Sequence, residues 1–273
     1  MPIDLVLVRH GESEGNHAFA LAAQGDLRYF TPGSPFLQRH GSRWRLTARG
    51  REQARAAGAW VRQHIGPYFD RYLASEYLRA METAAYLELP EAHWHCEFYL
   101  RERDWGKFDL IPFEQRRREY AEDMRRQSLD RFFWSPPDGE SMATLCLRID
   151  RVLGTLHREC ADKRVILVCH GEVMWAFRVR LERISQQEYQ RLDYSRDILD
   201  KIHNCQIMHY TRRDPHTGRV VPFVGWFRSV CPWDMTRSRN EWQPIERRSY
   251  SNEDLLAVVE GTPPILTDEV PGL

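Results

Sequence analysis

Four short polar clusters carry the residue types from which a catalytic site could be built. In chain order they are Arg9-His10-Gly11-Glu12-Ser13, Ser75 with Arg79, Glu102-Arg103, and His170-Gly171. An imidazole nitrogen can attack phosphorus, and guanidinium groups can bind and neutralise phosphoryl oxygens. A carboxylic acid can protonate the leaving oxygen. Two histidines, several arginines and a carboxylate therefore favour the transfer of a phosphoryl group through a histidine.

Each cluster follows a predicted β-strand. Short apolar runs predict strands at residues 5–8, 70–74, 96–100, 165–169 and 205–210. The first run, Leu5-Val-Leu-Val8, suits a central parallel strand that is buried on both faces. Because ligands bind beyond the carboxyl ends of parallel strands, we expect the four clusters to meet at one edge of the sheet.

Amphipathic helices alternate with these strands. One helix is predicted from residue 46 to residue 65, with Thr47 as its N-cap. A second begins after the turn at residues 138–141, and its apolar residues form one helical stripe. That stripe consists of Met142, Leu145, Ile149, Val152, Leu153 and Leu156. The alternation predicts a three-layer α/β/α sandwich with a mostly parallel central sheet.

We predict a catalytic domain at residues 1–211 with two cap segments. The first, at about 17–45, contains several Gly and Pro residues and should be irregular with at most short helices; the second, at about 107–137, should be largely helical. Residues 212–273 have no clear period and are predicted to be a C-terminal extension packed on the core, fraying towards Leu273. This extension could cover the site or build a homodimer interface.

The composition excludes several classes of protein. Lys and Arg total 39 and Asp and Glu total 39, so no positive excess favours nucleic acid or a membrane surface as partner. The longest apolar runs are far shorter than the ~20 residues that a membrane span needs. The N-terminus shows no signal-peptide pattern, and the 6 cysteines include no CxxC pair. These features predict a cytoplasmic protein with reduced thiols.

Six motifs, in the same order, resemble those of the histidine phosphatase superfamily, also called phosphoglycerate mutase-like. The first is Leu7-Val8-Arg9-His10-Gly11-Glu12-Ser13, ending at Asn16. The segment from Ser75 to Ala84 resembles the family's S-x-L-x-R-A-x-Q-T-A, with an extra residue before the Leu and with Glu82 in place of Gln. The others are Leu46-Thr47-x-x-Gly50-x-x-Gln53-Ala54, Leu100-Arg101-Glu102-Arg103-Asp104-Trp105-Gly106, Asp138-Gly139-Glu140-Ser141 and Val168-Cys169-His170-Gly171.

The resemblance implies a role for each matching residue. His10 would be phosphorylated, and Arg9, Arg79 and His170 would bind the phosphoryl group. Glu102 would act as general acid and then as the base that activates water. The residues implied to bind substrate are Ser13, Asn16, Gly171 and Arg103. The implied partners are a small phosphorylated substrate and inorganic phosphate as product, with no cofactor and no metal.

Several alternatives remain open at this point. Glu102 could pair with the flanking Arg101 and Arg103 on the surface, and Ser13 and Asn16 could simply cap a helix. Gly15 stands where the family's mutases have Trp, and about thirty residues separate Asn16 from the next motif, unlike in the mutases. The segments at residues 103–108 and 132–134 look closer to the broad-range phosphatase branch. Phosphoester hydrolysis is therefore favoured over two rivals, which are a phosphoglycerate mutase and a catalytically weak module that binds a phospholigand or a partner.

Overall fold

One mixed β-sheet forms the centre of the molecule. The computed structural model describes residues 1–265. Its strands are β1 (Asp4–Arg9), β2 (Arg71–Ala74), β3 (Trp94–Cys96), β4 (Arg164–Cys169), β5 (Ile207–Thr211), β6 (Trp226–Val230) and β7 (Arg239–Pro244). Their spatial order is β3-β2-β4-β1-β5-β6-β7. The three pairs among β3, β2, β4 and β1 are parallel, whereas β5, β6 and β7 are each added antiparallel. The expectation of a mostly parallel sheet thus holds for one half of it.

Helices cover both faces of this sheet. They are α1 (Glu14–Ala23), α2 (Ala48–His64), α3 (Leu78–Tyr86), α4 (Phe113–Glu119), α5 (Ala121–Leu129), α6 (Met142–Glu159), α7 (Gly171–Leu181), α8 (Gln186–Tyr194) and α9 (Asn252–Glu260). Side chains of β1 alternate between two cores, with Leu5 and Leu7 packed in the core of α6 and α7. Val6 and Val8 pack in the core of α2 and α3. The three-layer α/β/α sandwich is therefore confirmed. None of these helices is long and apolar enough to cross a membrane.

The two predicted amphipathic helices form where expected. Thr47 Oγ1 accepts a hydrogen bond from the backbone N–H of Gly50 at 3.0 Å and caps α2. Ser141 caps α6 in the same way, through the backbone N–H of Thr144 at 3.0 Å. Both caps satisfy N–H groups that the first helical turn leaves without partners.

The prediction of a third strand at residues 96–100 was wrong in its position. The strand covers only Trp94–Cys96, and Phe98–Leu100 is a short 3-10 turn. This turn places Leu100, fully buried, in the core beneath α6. Arg148 of α6 holds it there by donating to the Arg101 carbonyl at 2.9 Å. Packing against α6 therefore outweighs the local preference for an extended chain.

Two segments are more regular than their sequences indicate. The cap predicted at residues 17–45 begins inside the ten-residue helix α1. Residues 226–244 of the C-terminal extension contribute β6 and β7, which lengthen the sheet beyond β5. The predicted domain boundary after residue 211 coincides with the end of β5. Residues 266–273, for which fraying was predicted, lie outside the described part of the chain.

Candidate active site

The parallel pairing of β1 and β4 brings the two motif histidines together. Arg9 lies opposite Cys169 in the register of these strands, so the next residues, His10 and His170, leave the sheet side by side. Their ring centroids are 5.2 Å apart. Strand β2 flanks β4 on the other side, and Ser75, which follows it, makes a 2.8 Å hydrogen bond to His170 Nε2. The carboxyl ends of β1, β2 and β4 thus form one site, as expected for parallel strands.

The hydrogen bonds of His10 define which of its nitrogens carries a lone pair. Its Nδ1 lies 2.7 Å from the Gly11 carbonyl oxygen, which only accepts, so Nδ1 carries the proton. Arg79 Nε donates to His10 Nε2 at 3.1 Å, so Nε2 carries the lone pair. Burial and the guanidinium groups of Arg79 and Arg9 hold the pKa of His10 well below its usual range. The ring is therefore neutral at physiological pH and can attack through Nε2.

Arg79 is fixed by the first turn of α3 and by the first cap segment. Its Nη1 donates to the Gly41 carbonyl at 2.7 Å, and its backbone carbonyl accepts from Thr83 Oγ1. Thr83 Oγ1 in turn accepts from the N–H of Gly11 at 3.0 Å. The loop that carries His10 and the helix that carries Arg79 are therefore locked to each other.

Two buried donors next to His10 have no partner. Arg9 Nη1 donates to the Ile202 carbonyl at 2.6 Å, but Arg9 Nε makes no hydrogen bond within residues 1–265. The same holds for His170 Nδ1. Because Ser75 Oγ accepts from the N–H of Tyr77, its own proton can point at His170 Nε2, which leaves the His170 proton on Nδ1. Buried polar groups are rarely left unpaired, so these two donors indicate a site for an anion.

The N-terminus of α7 adds to this positive field. Gly171 is the first residue of α7, and a Cβ there would lie 3.4 Å from Arg9 Nε. Burial, with Arg79, His10 and Arg9 nearby, holds the pKa of His170 well below its usual range. Charge on an anion in this site would thus be met by the guanidinium groups and by the helix N-terminus.

Glu102 is partly buried and is not paired with its neighbours. Its Oε1 accepts from the backbone N–H of Arg103 at 3.0 Å. The side chain of Arg101 pairs with Glu140 at 3.4 Å, and that of Arg103 pairs with Glu172 at 3.3 Å. The alternative in which Glu102 pairs with Arg101 and Arg103 is therefore wrong. Burial and the negative charge of Glu172 raise the pKa of Glu102, which suits a proton donor.

The remaining predicted residues lie around this centre. Ser13 caps α1 and shares a capping box with Asn16. Asn16 Oδ1 accepts from Ser13 N at 3.2 Å and from Asn204 Nδ2 at 3.0 Å. Arg103 Nε donates to the Glu140 carbonyl at 2.7 Å, so its guanidinium holds surrounding backbone together. Among residues 1–265, no three His, Cys, Asp or Glu side chains cluster closely enough to hold a metal ion.

The family model described as the histidine phosphatase superfamily (branch 1) matches residues 5–215 of the chain. The chain belongs to the histidine phosphatase superfamily. This histidine phosphatase is 30% identical to 6-phosphofructo-2-kinase/fructose-2,6-bisphosphatase 1 of Mus musculus over 174 residues, which are 63% of this chain and 31% of that protein. A Gallus gallus protein of the same name, without the number, is 28% identical over 158 residues, 54% of this chain and 32% of it. The chain thus spans about a third of the length of the curated relatives it matches.

Solved structures of other phosphatases share the fold of this histidine phosphatase. A mycobacterial glucosyl-3-phosphoglycerate phosphatase complexed with VO3 has a TM-score of 0.57 and 21% identity, covering 76% of this chain and 92% of that chain. The alpha-ribazole phosphatase from Shigella flexneri has a TM-score of 0.58 and 20% identity, covering 81% of this chain and 95% of that chain. The predicted phosphoglycerate mutase-like fold is thereby confirmed.

Asn204 is a site residue that the sequence analysis missed. Its Nδ2 donates to the His10 carbonyl at 3.1 Å and to Asn16 Oδ1 at 3.0 Å. It precedes β5, and because β5 is antiparallel to β1, the start of β5 lies at the edge where β1 ends. A correct strand direction for β5 would have been the signal that places Asn204 there.

The first cap segment explains the glycine at the position where the family's mutases have tryptophan. A Cβ on Gly15 would lie 2.3 Å from an atom of the Trp44 ring. Trp44 is buried and stacks on the ring of Phe36, with ring centroids 4.9 Å apart. An indole from the cap therefore packs directly on Gly15, and no larger side chain fits there without moving Trp44.

Proposed function

We propose that this histidine phosphatase hydrolyses small phosphomonoesters in two steps through a phosphohistidine on His10, without a metal. The observation that carries the proposal is the pair of buried unpartnered donors, Arg9 Nε and His170 Nδ1, beside the lone pair of His10 Nε2. A phosphoryl group has several acceptor oxygens and a negative charge, so it suits both donors at once.

In the first step, His10 Nε2 attacks phosphorus and the bond to the ester oxygen breaks. Substrate binding must move the Arg79 Nε–H from His10 Nε2 to a phosphoryl oxygen, because both the lone pair and that donor are needed. The Gly11 carbonyl retains the Nδ1 proton and stabilises the positive charge that develops on the ring. Glu102 gives its proton to the leaving alkoxide, which departs as the alcohol.

In the second step, water attacks the phosphorus of phospho-His10. Glu102, now ionised, takes the proton from water, and the nitrogen–phosphorus bond breaks to release inorganic phosphate. His10 returns to its neutral form and Glu102 to its acid. Positioning and charge neutralisation by Arg9, Arg79 and His170 contribute most of the rate enhancement in this scheme.

The test is to trap the covalent intermediate. The protein is mixed with a phosphomonoester labelled on phosphorus and quenched in alkali, in which phosphohistidine survives, and the label is located by peptide mapping. We expect it on His10. His10→Ala should retain its circular dichroism spectrum and lose turnover, since a covalent nucleophile has no substitute. As a matched control, His93→Ala, which changes an exposed histidine, should keep both label and turnover.

Three outcomes would contradict the proposal. One is turnover by His10→Ala above about a tenth of the wild-type rate, because removal of a covalent nucleophile costs far more. Another is a protein that isomerises 3-phosphoglycerate before it releases phosphate, which would make it a mutase. The third is a protein that binds phosphate but turns over no ester, which would make it a binding module.

A further inference from the structure

Near Arg79 lies a carboxylate, that of Asp109, which makes no hydrogen bond within residues 1–265. Asp109 is partly buried, and its Oδ2 lies 3.3 Å from where a Cβ on Gly41 would be. The Gly41 carbonyl is the group that Arg79 Nη1 binds at 2.7 Å. Burial raises the pKa of Asp109, the charges of His40 and Arg79 oppose that shift, and no hydrogen bond within residues 1–265 reaches its carboxylate. The carboxylate is partly open to solvent, so it can accept hydrogen bonds from a bound ligand.

Tyr77 forms the wall between Arg79 and His170. Its ring centroid is 5.1 Å from that of His170 and 4.9 Å from Arg79 Cζ. Counted from Ser75, Tyr77 occupies the Leu position of the family's S-x-L-x-R segment. The ring is partly buried and its hydroxyl makes no hydrogen bond within the described chain. Tyr77 thus places an aromatic face and a polar group beside the phosphoryl site, where an aliphatic side chain is usual in that segment.

Most guanidinium groups on the segment that carries Asp109 are engaged, although Arg101 Nη1 is buried without a hydrogen-bond partner within residues 1–265. Arg101 pairs with Glu140 at 3.4 Å, and Arg103 pairs with Glu172 at 3.3 Å. Arg116 donates to the carbonyls of Ile111 at 2.7 Å and Phe108 at 2.6 Å. None of these guanidinium groups forms an ion pair with Asp109 within the described chain. Beyond the positive phosphoryl site, Asp109 therefore adds a negative charge and hydrogen-bond acceptors.

We propose that Tyr77 and Asp109 bound the leaving-group subsite, and that they select phosphomonoesters of an uncharged, hydroxyl-rich alcohol over those whose leaving group carries a carboxylate or a second phosphate. The inference rests on the proposed function. A carboxylate accepts hydrogen bonds from hydroxyl groups, and the aromatic ring packs on the carbon atoms between them. The half-buried carboxylate of Asp109 repels an anionic leaving group, and this repulsion discriminates against phosphomonoesters that carry one.

The test compares two substrates that differ at one carbon. Glycerol 3-phosphate ends in a hydroxymethyl group where 3-phosphoglycerate has a carboxylate. For the wild type at pH 7.5 we expect kcat/KM to favour glycerol 3-phosphate by about tenfold or more, the effect of one close like-charge contact. Asp109→Asn should narrow this ratio at least about threefold, because the amide keeps the shape and removes the charge. The matched control is Glu114→Gln on α4, an exposed carboxylate paired with Arg117, which should leave the ratio unchanged.

The possible failures can be told apart with p-nitrophenyl phosphate. If the wild type does not hydrolyse it, the proposed function itself fails. If the wild type hydrolyses it but treats the two three-carbon substrates alike, only the subsite proposal is overturned. It is also overturned if Asp109→Asn and Glu114→Gln change the ratio equally. A preference for 3-phosphoglycerate would overturn it too, and would direct attention to Arg43, the exposed guanidinium in the turn after Gly41.

Discussion

At the scale of single residues, the surroundings push the pKa values of the site's histidines and of its carboxylic acid in opposite directions. Burial and the nearby guanidinium groups lower the pKa values of His10 and His170. Burial and Glu172 raise the pKa of Glu102. A neutral imidazole and a protonated carboxyl group can therefore coexist in the site. In an exposed pair the carboxyl group would give its proton to the imidazole. Such separation of titrating groups is how one site provides both a nucleophile and an acid.

A prediction about Glu102 follows from this separation. Glu102→Gln should reduce kcat/KM for an alkyl phosphate about 100-fold or more, because the alkoxide needs a proton as it leaves. For p-nitrophenyl phosphate the reduction should stay below about tenfold, since the phenolate leaves without one. Steady-state kinetics with both substrates measure the difference. Equal reductions would remove Glu102 from the role of general acid.

At the scale of elements, the approach of α2 to the His10 loop depends on the absence of side chains. A Cβ on Gly50, in the first turn of α2, would lie 2.0 Å from the Glu12 carbonyl oxygen. A Cβ on Gly11 would lie 2.3 Å from the Gly50 carbonyl oxygen. Backbone meets backbone here, so neither contact can be relieved by a change of rotamer.

We therefore expect Gly50→Ala to lower the free energy of unfolding by about 2–3 kcal/mol, as overpacking does. It should also reduce turnover, because relief of the contact must displace the loop that holds His10. The matched control is Gly154→Ala in α6, where the nearest atom to the new Cβ is 3.6 Å away. That change should raise stability by up to about 1 kcal/mol through helix propensity. Urea denaturation of both variants checks the pair, and a Gly50→Ala protein as stable as Gly154→Ala would show that the loop has room.

The elements that the sequence predicts are those whose signal is local. The apolar runs of β1 and β4 and the apolar stripe of α6 can be predicted because the pattern within each segment shows which of its side chains are buried. The direction of β5 is decided by its pairing with β1, which no local pattern records, so Asn204 could not be placed. Phe98–Leu100 is pulled out of the strand by a tertiary contact with α6. Motif order, by contrast, predicted that His10, His170, Arg9 and Arg79 lie together, because neighbouring parallel strands end at the same edge of the sheet.

At the scale of the whole molecule, the C-terminal extension reaches back to the site. Trp233, between β6 and β7, donates from Nε1 to the Asn204 carbonyl at 2.6 Å. Asn204 holds the His10 carbonyl and Asn16. Arg237 Nη1 lies 3.1 Å from His203 Nδ1, one residue before Asn204. The segment added after β5 therefore supports the loop that carries His10, and the sheet and the site depend on each other.

The buried histidines also make the stability of the whole molecule depend on pH. The pKa values of His10, His170, His203 and His209 are all lowered in the folded state, chiefly by burial. In the unfolded chain they return to about 6.5. Below that pH these histidines bind protons in the unfolded state but not in the folded state, so the free energy of unfolding falls as the pH decreases. Because the pKa of Glu102 is raised in the folded state, its contribution to stability increases as the pH decreases. The pH dependence of the wild type combines these opposing contributions, so a comparison between variants is the sharper test.

We expect His170→Asn to remove one part of this dependence. His170 is fully buried and its pKa lies well below 6.5, so it contributes a loss on the order of 1 kcal/mol between pH 7.5 and pH 5.5. Urea denaturation at the two pH values should show that the variant loses about that much less than the wild type. His93→Asn, which changes an exposed histidine, should lose as much as the wild type. If His170→Asn and the wild type lose the same free energy, His170 takes up its proton in the folded state, and the guanidinium groups do not hold the ring neutral.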